Sequence, residues 1–285
     1  NLAEKVLTAT GVKVKASDRA GADKGSAATE YLIFIANREV EQLADIAIAA
    51  FDEGKDPSKL KKEVAAVFHG KQAIDIACFG RMLADAPDLN TDASAQVAHA
   101  FSIDQITPEY DYFTAVDDCA SDDNAGAAMI DTVGFNSSTL YRYATLNVDA
   151  LRDQLQDADA MVEGVSAFVE AFVKSMPSGK QNTFANHTLP EDIVIVLRDS
   201  QPISAADAFE NPIKRKDGIS VSRQGIERLG DRLNEIRINY GEEPVKAWHV
   251  VSGGSVPSLD EWSEQVTLPE LEQSLRETLS AAYSA

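Results

Sequence analysis

The hydrophobic period changes once along this chain, and that change limits the folds open to it. From Tyr31 to about Phe51, Leu32, Ile35, Ala36, Val40, Leu43, Ile46 and Ala47 recur at helical spacing. Ser58 to Phe68 makes another helix. KQAIDIACFGRML carries Ile74, Ala77, Cys78 and Met82 on one helical face, with Gly80 taken inside it. After about residue 101 the spacing shortens to two. In LYRYATLNV, Leu140, Arg142, Ala144, Leu146 and Val148 face one way and Tyr141, Tyr143 and Thr145 the other, the alternation of a strand. Arg142 is an anomaly on that apolar row.

Other elements fit this division. NLAEKVLTAT predicts a short helix ending at Gly11, followed by extended VKVK and a polar loop. DAPDLNTDASAQVAHAFS predicts a loop, a helix capped by Asp92 and a boundary near Ser102. ITPEYDYFTAVDD begins extended, IVIVLR reads as a buried strand and AWHVVS as a short one. Helices are expected over 158–176, with Met161, Val165, Phe168, Val169 and Phe172 inward, and over 222–240, with Ile226, Leu229, Leu233 and Ile236 inward. A last helix, LPELEQSLRETLSAAYS, opens with Thr267 before it and Pro269 in its first turn. Helices against a mainly antiparallel sheet make an α+β domain over 102–285, with a helical section over 1–101 before it.

At 285 residues and 44% hydrophobic the chain can bury a substantial core. It holds no apolar run of about 18 residues, so no membrane span is expected. The start, without Met, reads as that of a chain whose beginning has been removed. Cys78 and Cys119 are the only cysteines, and their placement suggests neither a disulfide framework nor a zinc knuckle. A reducing cytoplasm follows.

A formal charge of −20 argues against indiscriminate binding to a polyanion. The charge is unevenly placed, however. Residues 85–131 hold eleven acidic side chains and no Lys or Arg, whereas 211–240 hold seven basic and four acidic ones. A basic path elsewhere on the surface stays open.

Catalytic patterns fare poorly. Gly179-Lys180 in MPSGKQNTFA fails as a Walker loop, because Lys174 stands where its first glycine belongs and Gln181 where its hydroxyl residue belongs. His69, His99, His187 and His249 form no HExxH pattern, and Ser137-Ser138 precedes a strand, on the wrong side for a nucleophile elbow. Asp117, Asp118, Asp122 and Asp123 could bind a divalent ion or form an acidic loop. No cofactor or resident metal is implied.

Nucleic-acid chemistry finds better candidates. Lys180, Gln181 and Asn182 can donate to phosphate or sugar oxygens, and Phe184 can stack or pack, although a lysine beside a helix-closing Gly179 is the simpler account. Lys214, Arg215 and Lys216 could follow successive phosphates or be a solvated loop. Met82 after Arg81, and Phe113, can each be core or ligand contact. Tyr141 and Tyr143 share a sheet face that can stack bases or pack.

The order of DIACFGRM, HAFS, DYFTAVDD, GFNSSTLYRYATLNV, MPSGKQNTFA and AFENPIKRKDG resembles the backbone subunit of the type I-E CRISPR interference complex, the CasC family of Cascade, along the whole chain. The resemblance implies a non-enzymatic protein with an RNA-recognition-like, ferredoxin-like palm, a helical insertion (the fingers) over 1–101 and a thumb hairpin over 118–138. Its partners would be CRISPR RNA, further copies of itself, other Cascade subunits and, through the guide, target DNA. On this basis Met82, Phe113, Lys180, Lys214 and Lys216 meet the guide, Lys214 and Lys216 matching a VKxKDG-like loop, and Arg81, Gln181 and Asn182 are expected RNA contacts beside them. Met129, Ile130 and Phe135 belong to the thumb, and Arg142 and Tyr143 anchor it. The family's first palm strand has no counterpart here. Two other functions remain open: a metal-dependent phosphodiester hydrolase using Asp117–Asp123, and an acidic protein-interaction domain.

Overall fold

The structure, a computed structural model, describes residues 2–16, 27–115 and 129–283. In chain order its elements are α1 (Leu2–Ala9), β1 (Val14–Ala16), β2 (Ala27–Thr29), α2 (Asn37–Asp52), α3 (Lys61–Phe68), α4 (Ile74–Phe79), β3 (Ala95–Val97), β4 (Phe101–Ser102), β5 (Glu109–Ala115), β6 (Met129–Phe135), β7 (Leu140–Tyr141) and β8 (Ala144–Leu146). Then follow α5 (Val148–Leu155), α6 (Ala158–Lys174), α7 (Gln181–Phe184), β9 (Asp192–Leu197), α8 (Val221–Tyr240), β10 (Lys246–Val251), α9 (Pro257–Asp260), β11 (Glu264–Gln265) and α10 (Leu268–Tyr283). The class is α+β. Two compact units divide the chain: 1–97 with 144–172 and 272–285, and 98–143 with 173–271.

In the first unit Val6 and Ala9 of α1, Leu43 and Ala47 of α2, and Val64 and Phe68 of α3 share one core with Leu83, Ala86 and Leu89. Helix α2 begins at Asn37, six residues later than its periodicity predicts. Leu32 therefore precedes the helix, Val40 lies on its outer side, and both are exposed. Helix α4 stops at Phe79 instead of running through Gly80, which takes φ 76°, ψ 173°, a backbone conformation that side chains with a Cβ avoid. The chain then turns back, and Arg81 pairs with Thr91.

The helix expected at Asp92 is absent, and β3 stands there, antiparallel to β8 with Ala95 opposite Leu146. Ser94 fixes this arrangement, its backbone N–H and hydroxyl both donating to the Ala77 carbonyl. The long strand read in LYRYATLNV is likewise two short ones. Strand β7 pairs with β4 and β8 with β3, so the alternation is served by two partners with a break at Arg142 and Tyr143. In α6, Met161 and Val165 are buried as expected.

The second unit contains a three-stranded sheet in the order β11-β10-β9, antiparallel between β9 and β10 and parallel between β10 and β11. Trp248 and His249 on the central strand are fully buried. Strand β9 is half-buried at every residue rather than fully buried, as befits an edge of the sheet. Helix α8 lies over the sheet with Ile226, Leu233 and Ile236 in a core shared with Val256, Leu259, Val194 and Val251. The Ser220 hydroxyl caps it by accepting from the Arg223 N–H at 3.1 Å. Gly230 lets α9 approach: a Cβ there would lie 2.5 Å from Ser258 Oγ. At the start of α10, Thr267 N–H donates to Glu270 Oε2 at 2.8 Å, and the Glu270 N–H points back at Thr267 Oγ1.

Candidate nucleic-acid interface

Strands β5 and β6 form a two-stranded antiparallel ribbon running from the Glu109–Phe135 pair to the Ala115–Met129 pair. Alternation puts Phe113, Val133, Phe135 and Met129 on one face, and Tyr110, Tyr112 and Ile130 on the other. Both faces are largely exposed. An isolated ribbon of this kind is marginal in water unless something packs on it. Phe113 and Phe135 are half-buried, while Met129 and Ile130 are exposed. Of the thumb expected over 118–138, residues 118–128 lie outside the described residues, as do the Asp117–Asp123 cluster and Cys119. The described part of the hairpin reaches back to Glu109.

The base of the ribbon is well held. Tyr141 leaves it on β7, its ring 5.3 Å from Phe101 and 5.2 Å from Phe209. Burial in this packing pushes its hydroxyl pKa up to about 12. Asp104, almost fully buried, accepts from the Thr139 N–H at 3.1 Å and from Ser102. Tyr143 is half-buried, its phenol pKa raised chiefly by burial.

The loop carrying Lys180 is tied to this base at both ends. Arg142 Nη1 donates to the Ser175 carbonyl at 3.3 Å, and Phe184 packs on Phe135 with ring centroids 5.1 Å apart. Lys180 itself has φ 62° and Ala185 φ 48°, so two non-glycine residues in the left-handed region bracket the single turn α7. Gly179 therefore does not close a helix; the unusual backbone belongs to Lys180. Gln181 Nε2 donates to the Pro177 carbonyl at 3.1 Å, which makes that amide a builder of the loop. Lys180 and Asn182 are exposed.

Lys214 and Lys216 are exposed on a loop anchored by Ile213. Ile213 is buried with Ile103 and Phe209, against which Tyr141 packs, and its N–H donates to the Ile103 carbonyl at 2.8 Å. Arg215 reaches toward Asp104 at 3.9 Å, and Lys216 bridges to Ile219. One small core thus supports the ribbon base and the Lys214 loop, and Arg142 and Phe135 extend that support to Lys180. The arrangement offers exposed cations and partly exposed aromatic rings on loops held by packing and hydrogen bonds.

A family model described as CT1975-like protein matches residues 1–274. The chain belongs to the CT1975-like protein family. Its fold is similar to that of a chain in a CRISPR RNA-guided surveillance complex described as pre-nicking, with TM-score 0.81 and 27% identity over 98% of this chain and 78% of that one. A chain of another CRISPR RNA-guided surveillance complex matches at TM-score 0.65 and 31% identity over 74% of this chain and 78% of that one. Comparison with the curated proteins found no match.

Two of the expected contacts of this CT1975-like protein lie in the first unit, and one needs correction. Arg81 is buried, its guanidinium paired with Glu39 and directed at Phe68 and Gln72. Its charge is held inside the fold and is not offered to an external phosphate. The neighbouring Met82, expected on the inner face of a helix, is instead 77% exposed because α4 ends before it.

Sequence reasoning missed Asp104, a carboxylate whose own polarity gave no hint that it would be buried. It also left Phe184 undecided between stacking and packing; the ring packs on one side and stays 41% exposed. Among the described residues no helix is long and apolar enough to cross a membrane.

Proposed function

We propose that this CT1975-like protein is a non-enzymatic, CRISPR RNA-binding backbone subunit of a surveillance complex, of the CasC kind found in type I-E Cascade. Its likeness to a surveillance-complex chain over 98% of its length carries this reading. Exposed Lys180, Lys214 and Lys216 on firmly mounted loops support it, since cations on phosphates fix the position of a bound strand without reading its sequence. Phe113 and Asn182 contact the guide from the second unit and Met82 from the first. The β5–β6 ribbon serves as the thumb, with Met129 and Ile130 toward its far end and Arg142 and Tyr143 at its root. Copies line up along the guide with other complex subunits in the cytoplasm, and pairing by the guide selects target DNA.

The test is expression beside a CRISPR array, followed by purification and sizing of any bound nucleic acid. Guide RNA of uniform length is expected. A protein that assembles with the other subunits yet carries no RNA would identify an acidic protein-interaction domain instead.

A further inference from the structure

Phe184 is not among the proposed guide contacts, and its surroundings bear on whether its ring stacks or only packs. Its ring meets Phe135 at 5.1 Å with planes inclined by 42°, leaving 41% of the residue exposed. It ends the one-turn α7 whose other end is Lys180, and the Phe184 N–H donates to the Lys180 carbonyl at 3.0 Å, so cation and ring stand one turn apart. Left-handed backbone at Lys180 and Ala185 is costly for residues with a Cβ, and such conformations persist where the surroundings enforce them. Here the enforcement comes from Gln181 holding Pro177 and from Arg142 holding Ser175. An aromatic ring backed on one side, 41% exposed and one turn along the chain from a lysine suits one particular ligand: a nucleobase whose own phosphate is bound by that lysine.

We infer that Phe184 is a base-stacking residue, with Phe135 as its backing, that takes one unpaired nucleobase of the RNA held at Lys180. This rests on the RNA-binding reading above. The stack is indifferent to base identity, because every base offers a π face. It also joins the ribbon to the strand: the ring that backs Phe184 is the last residue of β6, so a shift of the ribbon root moves the stacking platform.

The test compares a single-stranded uridine oligonucleotide with one of equal length carrying abasic riboses, by fluorescence anisotropy. Wild-type protein should bind the abasic strand more weakly. Phe184→Leu keeps an apolar side chain against Phe135 but removes the π face. It should bind the uridine strand about 5- to 100-fold more weakly than wild type and lose most of the difference between the two strands. Phe184→Tyr should restore both. If Phe184→Leu retains wild-type affinity and the wild-type abasic penalty, the stacking role is overturned and RNA binding stands. If the wild-type protein, assembled with its complex, binds neither strand, both readings fall.

Discussion

The Arg81 guanidinium lies 2.7 and 2.8 Å from the two carboxylate oxygens of Glu39, 42 residues earlier in the chain, with both side chains shut away from solvent. The guanidinium also sits 4.8 Å above the Phe68 ring and donates to the Phe68 carbonyl and to Gln72. Glu39 accepts in addition from the Ala36 N–H at the start of α2. Removing one partner strands a buried charge, so Arg81→Ala or Glu39→Ala should each cost about 3–5 kcal/mol in urea unfolding. Replacing both with Met should cost far less. The double variant would show the pair to be structural.

Gly80 precedes that arginine, and Gly80→Ala should be damaging in its own right. A Cβ would lie 2.8 Å from the Thr91 carbonyl oxygen and 3.1 Å from the Ala93 nitrogen, both of them backbone atoms. The backbone angles there also disfavour any residue but glycine. The expected loss is about 2–3 kcal/mol, measured by thermal or urea melts. Because the same turn presents Met82, RNA affinity should fall with it.

Asp192 opens β9 where burial, helped by the neighbouring Glu191, pushes its carboxyl pKa up to about 6, with Arg223 opposing. A raised carboxyl stays protonated in the fold at a pH where the unfolded chain has already ionised. Its contribution is therefore most favourable below the unfolded pKa of 3.8, is lost as pH rises toward about 6, and is flat above that. Asp192→Asn should remove that slope and stabilise the protein at neutral pH. Melting temperature against pH for both proteins checks the sign.

How far the sequence foretold this molecule depends on the range of the deciding contact. The apolar stripe of α8 and the Thr267–Glu270 start of α10 were legible because their partners lie within a few residues. The segment after Asp92 was not: its local capping signal yields to pairing with β8, some fifty residues away. Arg81 misled for the same reason. An arginine after glycine reads as an exposed cation until Glu39 is seen beside it. Lys180, Lys214 and Lys216 were picked out by charge and by the family resemblance and are exposed, but their common mounting on Tyr141, Ile213 and Arg142 exists only in three dimensions.

The central claim is that these three lysines hold a single-stranded backbone. Its most direct test is the salt dependence of RNA affinity for the assembled protein, wild type against Lys180→Gln/Lys214→Gln/Lys216→Gln. If the three lysines neutralise three phosphates, the slope of log affinity against log salt should become shallower by about 2, and affinity at low salt should drop sharply. An unchanged slope and affinity would contradict the account.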